Sequence, residues 1–115
     1  LNAAIRLNPS DPLSYYYRGL TFSRQGKFEK ALTDLSQAIE LFPHYAEAYY
    51  QRGRIYHNRR NFEKAIRDYT QTIQLKPNDA LAYYSRGVAF ENKGDTQKAK
   101  LDYEKAKKLG YTTQR

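Results

Sequence analysis

Apolar and aromatic side chains recur along this chain in stripes of helical spacing, and the stripes come in pairs. Tyr15, Gly19 and Phe22 share one stripe, and Phe28, Ala31, Leu35 and Ala38 share the next. Residues three and four apart lie on one face of an α-helix, so each stripe predicts an amphipathic helix. The pair then recurs at a constant step of 34 residues. The glycines fall at Gly19, Gly53 and Gly87, and the aromatics after them at Phe22, Tyr56 and Phe90. Ala31, Ala65 and Ala99 keep the same step, as do Leu35, Tyr69 and Tyr103. A fixed period in this range signals a stacked repeat architecture.

Breaking residues divide the stripes into elements. Asn8-Pro9-Ser10-Asp11-Pro12 reads as a stop and a start: Pro9 ends one helix, Asp11 caps the next and Pro12 suits its first turn. The pattern predicts helices over Pro12–Gln25, Phe28–Phe42, Tyr45–Arg59, Phe62–Lys76, Ala80–Lys93 and Thr96–Leu109. Gly26 and Gly94 suit a left-handed close of a helix, and Arg60 stands at the matching place in the second unit. Asn61 and Asp95 are placed as N-caps. Leu1, Ala4 and Leu7, with Ile5 beside them, read as the tail of a preceding unit whose front is missing. A chain that opens on Leu1 reads as a fragment.

The triplet Tyr15-Tyr16-Tyr17-Arg18-Gly19, Tyr49-Tyr50-Gln51-Arg52-Gly53 and Tyr83-Tyr84-Ser85-Arg86-Gly87, followed by Ala, an aromatic or Leu, and Pro43 and Pro77, resembles the tetratricopeptide repeat. The resemblance covers nearly the whole chain. It implies an all-α fold, an α-solenoid forming a right-handed superhelix of antiparallel helix pairs. Repeats would span residues 12–45, 46–79 and 80–113, after an incomplete unit over residues 1–11. The family usually has Leu before the glycine, whereas this chain has Arg each time.

Those arginines lie on the apolar stripe, where an unpaired charge is very unfavourable. Each has an aspartate sixteen residues later, which suggests the pairs Arg18–Asp34, Arg52–Asp68 and Arg86–Asp102. The alternative is that each guanidinium reaches solvent along its aliphatic stem. The role expected of the pairs is register rather than net stability.

The last helix departs from the pattern. Lys100, Lys107 and Thr96 replace the apolar columns Leu32/Ile66, Ile39/Ile73 and Phe28/Phe62. A polar outer face is what an end repeat needs, so the stack is expected to stop here, with Gly110 closing the helix. The front has no such provision. Its open apolar face is expected to be covered by upstream repeats or by a second copy, the latter making a homo-oligomer.

Composition narrows the chemistry. The chain holds 115 residues with 20 basic and 12 acidic side chains, a net charge of +8, and no Cys. The excess charge is spread over the last two-thirds, which argues against a short nucleic-acid arm. Disulfides and thiolate sites are excluded. No apolar run approaches the ~20 residues that span a bilayer, so no membrane partner is expected. His44 and His57 are the only imidazoles, and neither belongs to a catalytic set. Nothing in the sequence matches a metal motif, a phosphate-cradling loop or a nucleophile–base arrangement. The expectation is a protein that is not an enzyme and needs no cofactor or metal.

The resemblance further implies that the first helix of each pair lines a concave groove. The groove candidates are Tyr16, Tyr17, Leu20 and Arg24 from the first unit; Tyr50, Gln51, Arg54, His57 and Asn58 from the second; and Tyr84, Ser85, Val88 and Asn92 from the third. Leu13, Glu47 and Leu81 begin the three columns. The Tyr16/Tyr50/Tyr84 column serves either ligand contact or stacking between neighbouring helices. One family subclass grips chaperone-tail carboxylates through Lys, Asn and Arg. The matching positions here are Tyr16, Leu20, Gln51, Leu81 and Ser85, and only Gln51 keeps an amide, so that clamp is not expected. The groove suits a protein or peptide segment with apolar anchors and an acidic residue. Nucleic-acid binding is a weaker alternative, because the Lys residues fall largely on outward faces among Asp and Glu.

Overall fold

The computed structural model describes residues 9–112. Among them the chain forms helices α1 (Pro12–Arg24), α2 (Phe28–Leu41), α3 (Ala46–Asn58), α4 (Phe62–Leu75), α5 (Ala80–Lys93) and α6 (Thr96–Lys108), and no strand. The helices pair as α1/α2, α3/α4 and α5/α6, and each pair packs on the next through α2/α3 and α4/α5. The result is an elongated α-solenoid, 46 × 25 × 24 Å. The expected tail over residues 1–8 and the fate of residues 113–115 lie outside the described residues.

Helix ends follow local chemistry. Asp11 accepts from Leu13 N–H, Asn61 from Lys64 N–H, Asp79 from Ala82 N–H and Asp95 from Lys98 N–H, so four helices begin on a side-chain cap. Five helices end one residue earlier than the sequence pattern suggests. Gln25, Phe42, Arg59, Lys76 and Leu109 are the flanking caps, whose N–H groups still bond back into the last turn. Tyr45 likewise flanks α3 instead of opening it. Where a helix closes left-handed, Gly94 has φ +98°, and Arg60 adopts φ +63° at the matching place. Asn61 N–H then reaches Tyr56 C=O at 2.8 Å, as Asp95 N–H reaches Phe90 C=O at 2.9 Å. The backbone motif is the same, with a side chain carried through it.

Within each pair the glycine sets how close the helices come. A Cβ on Gly53 would stand 2.8 Å from the Tyr69 ring, and one on Gly87 would stand 2.9 Å from the Tyr103 ring. Tyr69, Leu35 and the alanines Ala31, Ala65 and Ala99 are buried against this seam.

The arginine before each glycine bonds across the same seam. Arg18 donates from Nε and Nη2 to the two Asp34 oxygens, each at 2.7 Å. Arg52 donates to Asp68 at 2.9 and 2.8 Å, and Arg86 to Asp102 at 2.8 Å twice. Each fork is bidentate, the strongest geometry for this pairing. The guanidinium groups also lie over rings of their own stripe: Arg18 over Tyr15 and Phe22, and Arg86 over Tyr83 and Phe90.

A second contact was not evident from the sequence pattern. Arg52 Nη1 donates to Ser36 Oγ at 3.1 Å, and Arg86 Nη1 to Thr70 Oγ1 at 3.3 Å. Ser36 and Thr70 stand sixteen residues before their arginines, on the second helix of the preceding pair. One guanidinium therefore ties its own pair together and fastens that pair to the one before. Ion pairs repeat this inter-unit link on the surface: Arg59 with Glu29, and Lys93 with Glu63.

Lys100, Lys107 and Thr96 are exposed on α6, whereas the matching Leu32, Ile66, Ile39, Ile73, Phe28 and Phe62 are at least partly buried.

Candidate functional site

Helices α1, α3 and α5 lie side by side and line one face of the solenoid. Two cavities open along that face. The first, about 360 Å³, is walled by Leu20, Ser23 and Arg24 from α1 and by Gln51, Arg54, Ile55 and Asn58 from α3. The second, about 160 Å³, is walled by Arg54, His57 and Asn58 from α3, Tyr84, Ser85 and Val88 from α5, and Tyr69 from α4. Arg54 and Asn58 belong to both, so the two cavities form one groove with Arg54 at its midpoint.

The candidate residues divide by how their side chains are engaged. Tyr16 is buried, and its ring packs 4.9 Å from that of Tyr45. Tyr50 packs on Tyr69 at 5.5 Å, and its hydroxyl is 2.9 Å from Ser85 Oγ. Tyr84 packs on Tyr103 at 5.4 Å and stacks on Tyr111 at 4.4 Å. Among the described residues no ring contact joins one tyrosine of this column to the next. The column is built into internal packing, and burial raises the Tyr16 and Tyr50 phenols above their ordinary value.

His57 is half-buried, with Nε2 3.1 Å from Asn92 Nδ2 and its ring edge-on to Phe62. Burial lowers its pKa, which favours the neutral ring, and with Nε2 unprotonated that ring accepts from the Asn92 amide. Together with Tyr50–Ser85, this bond fastens α3 to α5 along the groove.

Tyr17, Arg24, Arg54 and Asn58 are exposed, and Leu20, Gln51 and Val88 are partly so. Arg54 Nη1 donates to Gln51 Oε1 at 3.3 Å. At the N-terminal ends of the groove helices Leu13 and Leu81 are 50 % and 45 % exposed. Glu47 there is bonded to Lys76 at 2.9 Å, and that ammonium holds its carboxyl below the ordinary range.

The seam carboxylates sit differently. Burial raises the Asp68 carboxyl, and the Arg52 hydrogen bonds pull it back only in part; Arg52 itself is held charged by the same bonds. Among the described residues there is no group of three or more His, Cys, Asp or Glu placed to hold a metal ion. None of the described helices is long and apolar enough to cross a membrane.

Comparison with known proteins decides the family. Residues 18–80 and 58–110 match one tetratricopeptide repeat model, and residues 1–33 match a second. The chain belongs to the tetratricopeptide repeat family. This tetratricopeptide chain is similar to a crystal structure of MamA, with 33% identity and a TM-score of 0.88 over 91% of its length. It spans 61% of that MamA chain. It is also similar to the second tetratricopeptide domain of Spaghetti (RPAP3), a structure solved bound to the HSP90 peptide SRMEEVD. There the identity is 28% and the TM-score 0.83, over 95% of this chain and 99% of that one. The N-terminal domain of stress-induced protein-1 from C. elegans shares the fold, with 20% identity and a TM-score of 0.81 over 86% and 84% of the two chains. No curated protein matches the sequence. Family and fold together support a protein-interaction scaffold.

Proposed function

We propose that this tetratricopeptide chain is a non-catalytic module that holds a protein or peptide segment in the groove along α1, α3 and α5. The observation that carries the reading is the placement of Arg54. It is exposed at the junction of two cavities, on a floor fastened by Tyr50–Ser85 and His57–Asn92. A groove fixed before binding loses little ordering entropy on capture. Arginine and tyrosine are the side chains most often found to dominate interface energetics.

The groove is not a receptor for a chaperone-tail carboxylate in this reading. Tyr16, Leu20, Gln51, Leu81 and Ser85 hold no cation, Tyr16 is buried, and Ser85 is engaged by Tyr50. Nucleic-acid binding is less well supported, because many cations already serve the fold. Lys76 and Lys93 pair with glutamates, and Lys98 and Lys105 lie over the Phe90 and Tyr83 rings.

The test is to capture a partner from native extract and titrate it into wild type, Arg54→Ala, Gln51→Ala and the outward-facing control Arg67→Ala. The two groove variants are expected to lose about tenfold in affinity, the size of one charge-assisted contact, and the control to lose nothing. Equal affinity across all four would contradict the reading.

A further inference from the structure

The groove reading leaves open what its central cavity takes, and the arginines answer that. Arg18, Arg52, Arg86 and Arg59 each pair with a carboxylate of the chain. Arg24, Arg54, Arg60 and Arg67 have no carboxylate partner among the described residues, and of these Arg24 and Arg54 line the cavity between α1 and α3. The remaining walls are Leu20 and Ile55, which are apolar, and Ser23, Gln51 and Asn58, which offer hydroxyl and amide groups. Two cations beside apolar walls, with donors at the rim, are complementary to a single anionic side chain on a short stem.

We propose, on the footing of the groove reading, that this cavity seats the side-chain carboxylate of an Asp or Glu within the partner segment, held between Arg24 and Arg54. The adjoining cavity, walled by Tyr69, Tyr84 and Val88, takes an apolar side chain next to it. Because Arg54 borders both cavities, the neighbouring apolar side chain is assigned to its far side and the acidic residue to the body of the segment rather than its C-terminus. A carboxylate fits better than a phosphate for an electrostatic reason. Arg24 lies in the last turn of α1, and Asn58 is the last residue of α3. Helix C-termini carry partial negative charge, which opposes a dianion more than a monoanion. Phosphate sites commonly use helix N-termini, and none of the residues that line this cavity stands at one.

The probe is a displayed library of random twelve-residue peptides, selected on wild type and on R24Q/R54Q. Circular dichroism checks that both proteins are equally folded, as expected for exposed side chains without ion-pair partners. The peptides enriched on wild type are expected to carry Asp or Glu beside an apolar residue, and R24Q/R54Q is expected to lose that acidic preference. For a synthetic enriched peptide, replacing its acid by the amide should weaken binding to wild type about tenfold and should weaken binding to R24Q/R54Q no further. Apolar enrichment without an acid, or an amide peptide that binds equally, would overturn this proposal and leave the groove reading standing. So would a phosphoserine peptide that binds more than tenfold tighter than the acid, or a loss seen only on amidating the C-terminus. No enrichment over bare support would overturn the groove reading as well.

Discussion

Arg52 and Ser36 lie on different helix pairs, yet Arg52 Nη1 donates to Ser36 Oγ at 3.1 Å while the rest of the guanidinium holds Asp68. The same side chain therefore closes one unit and docks it on the unit before. Asp68 is 4 % exposed, and the effect of its burial exceeds what Arg52 returns. Such a pair fixes register more than it adds net stability. Arg52→Leu is expected to cost about 3–5 kcal/mol in urea unfolding, because Asp68 is left buried and alone. Arg52→Leu/Asp68→Leu should cost much less than the single variant. Ser36→Ala should cost about 0.5–1.5 kcal/mol, and nothing further once Arg52 is already leucine.

The seam glycines predict a graded response. A Cβ on Gly53 meets the buried Tyr69 ring at 2.8 Å, whereas one on Gly19 meets the branch carbon Cγ of Leu35 at 3.1 Å. Both neighbours are fully buried, so the depth of the overlap sets the order. Gly53→Ala should destabilise by about 1–3 kcal/mol and Gly19→Ala by clearly less, as read from thermal melts of the two variants.

Arg60 holds a positive φ of +63° that glycine adopts freely. Relief of that strain, less the added freedom of the unfolded chain, should make Arg60→Gly about 0.5–1 kcal/mol more stable than wild type. Denaturant titration measures this directly. A loss would mean that the guanidinium lying over the Phe62 ring contributes more than the backbone strain costs.

His57 gives the fold a pH dependence of known sign. Its folded pKa is lowered by burial, so the unfolded chain binds the proton more readily. Stability from this group is complete above the unfolded value, near 6.5, and declines as pH falls from there through the folded value. Unfolding free energies across that window should fall for wild type, and the decline should be smaller in His57→Gln.

The repeat period made the helices legible, because a 34-residue step brings the stripes into line three times, with Pro9, Pro43 and Pro77 as breakers between them. The sixteen-residue offset from Arg to Asp was legible for the same reason, as both residues stand on stripes that meet within one unit. The contact to Ser36 and Thr70 was not. It crosses between units, and its acceptors are single small polar residues of differing type. The signal was present: a small polar side chain stands sixteen residues before each arginine, Asn2 for Arg18 included. Nor could the period say where the rings of Tyr16, Tyr50 and Tyr84 would point. That depends on the angle between helices, which a one-dimensional repeat does not carry. Tyr111 matches no aromatic of the earlier units, so its stacking on Tyr84 had no counterpart to be read from.

The most direct test of the account is amide hydrogen exchange on the chain with and without its captured partner. Added protection is predicted along the groove-lining side of the molecule, in α1, α3 and α5 and centred on Gln51–Asn58. Protection concentrated instead on α2, α4 and α6, with the groove helices unchanged, would contradict it.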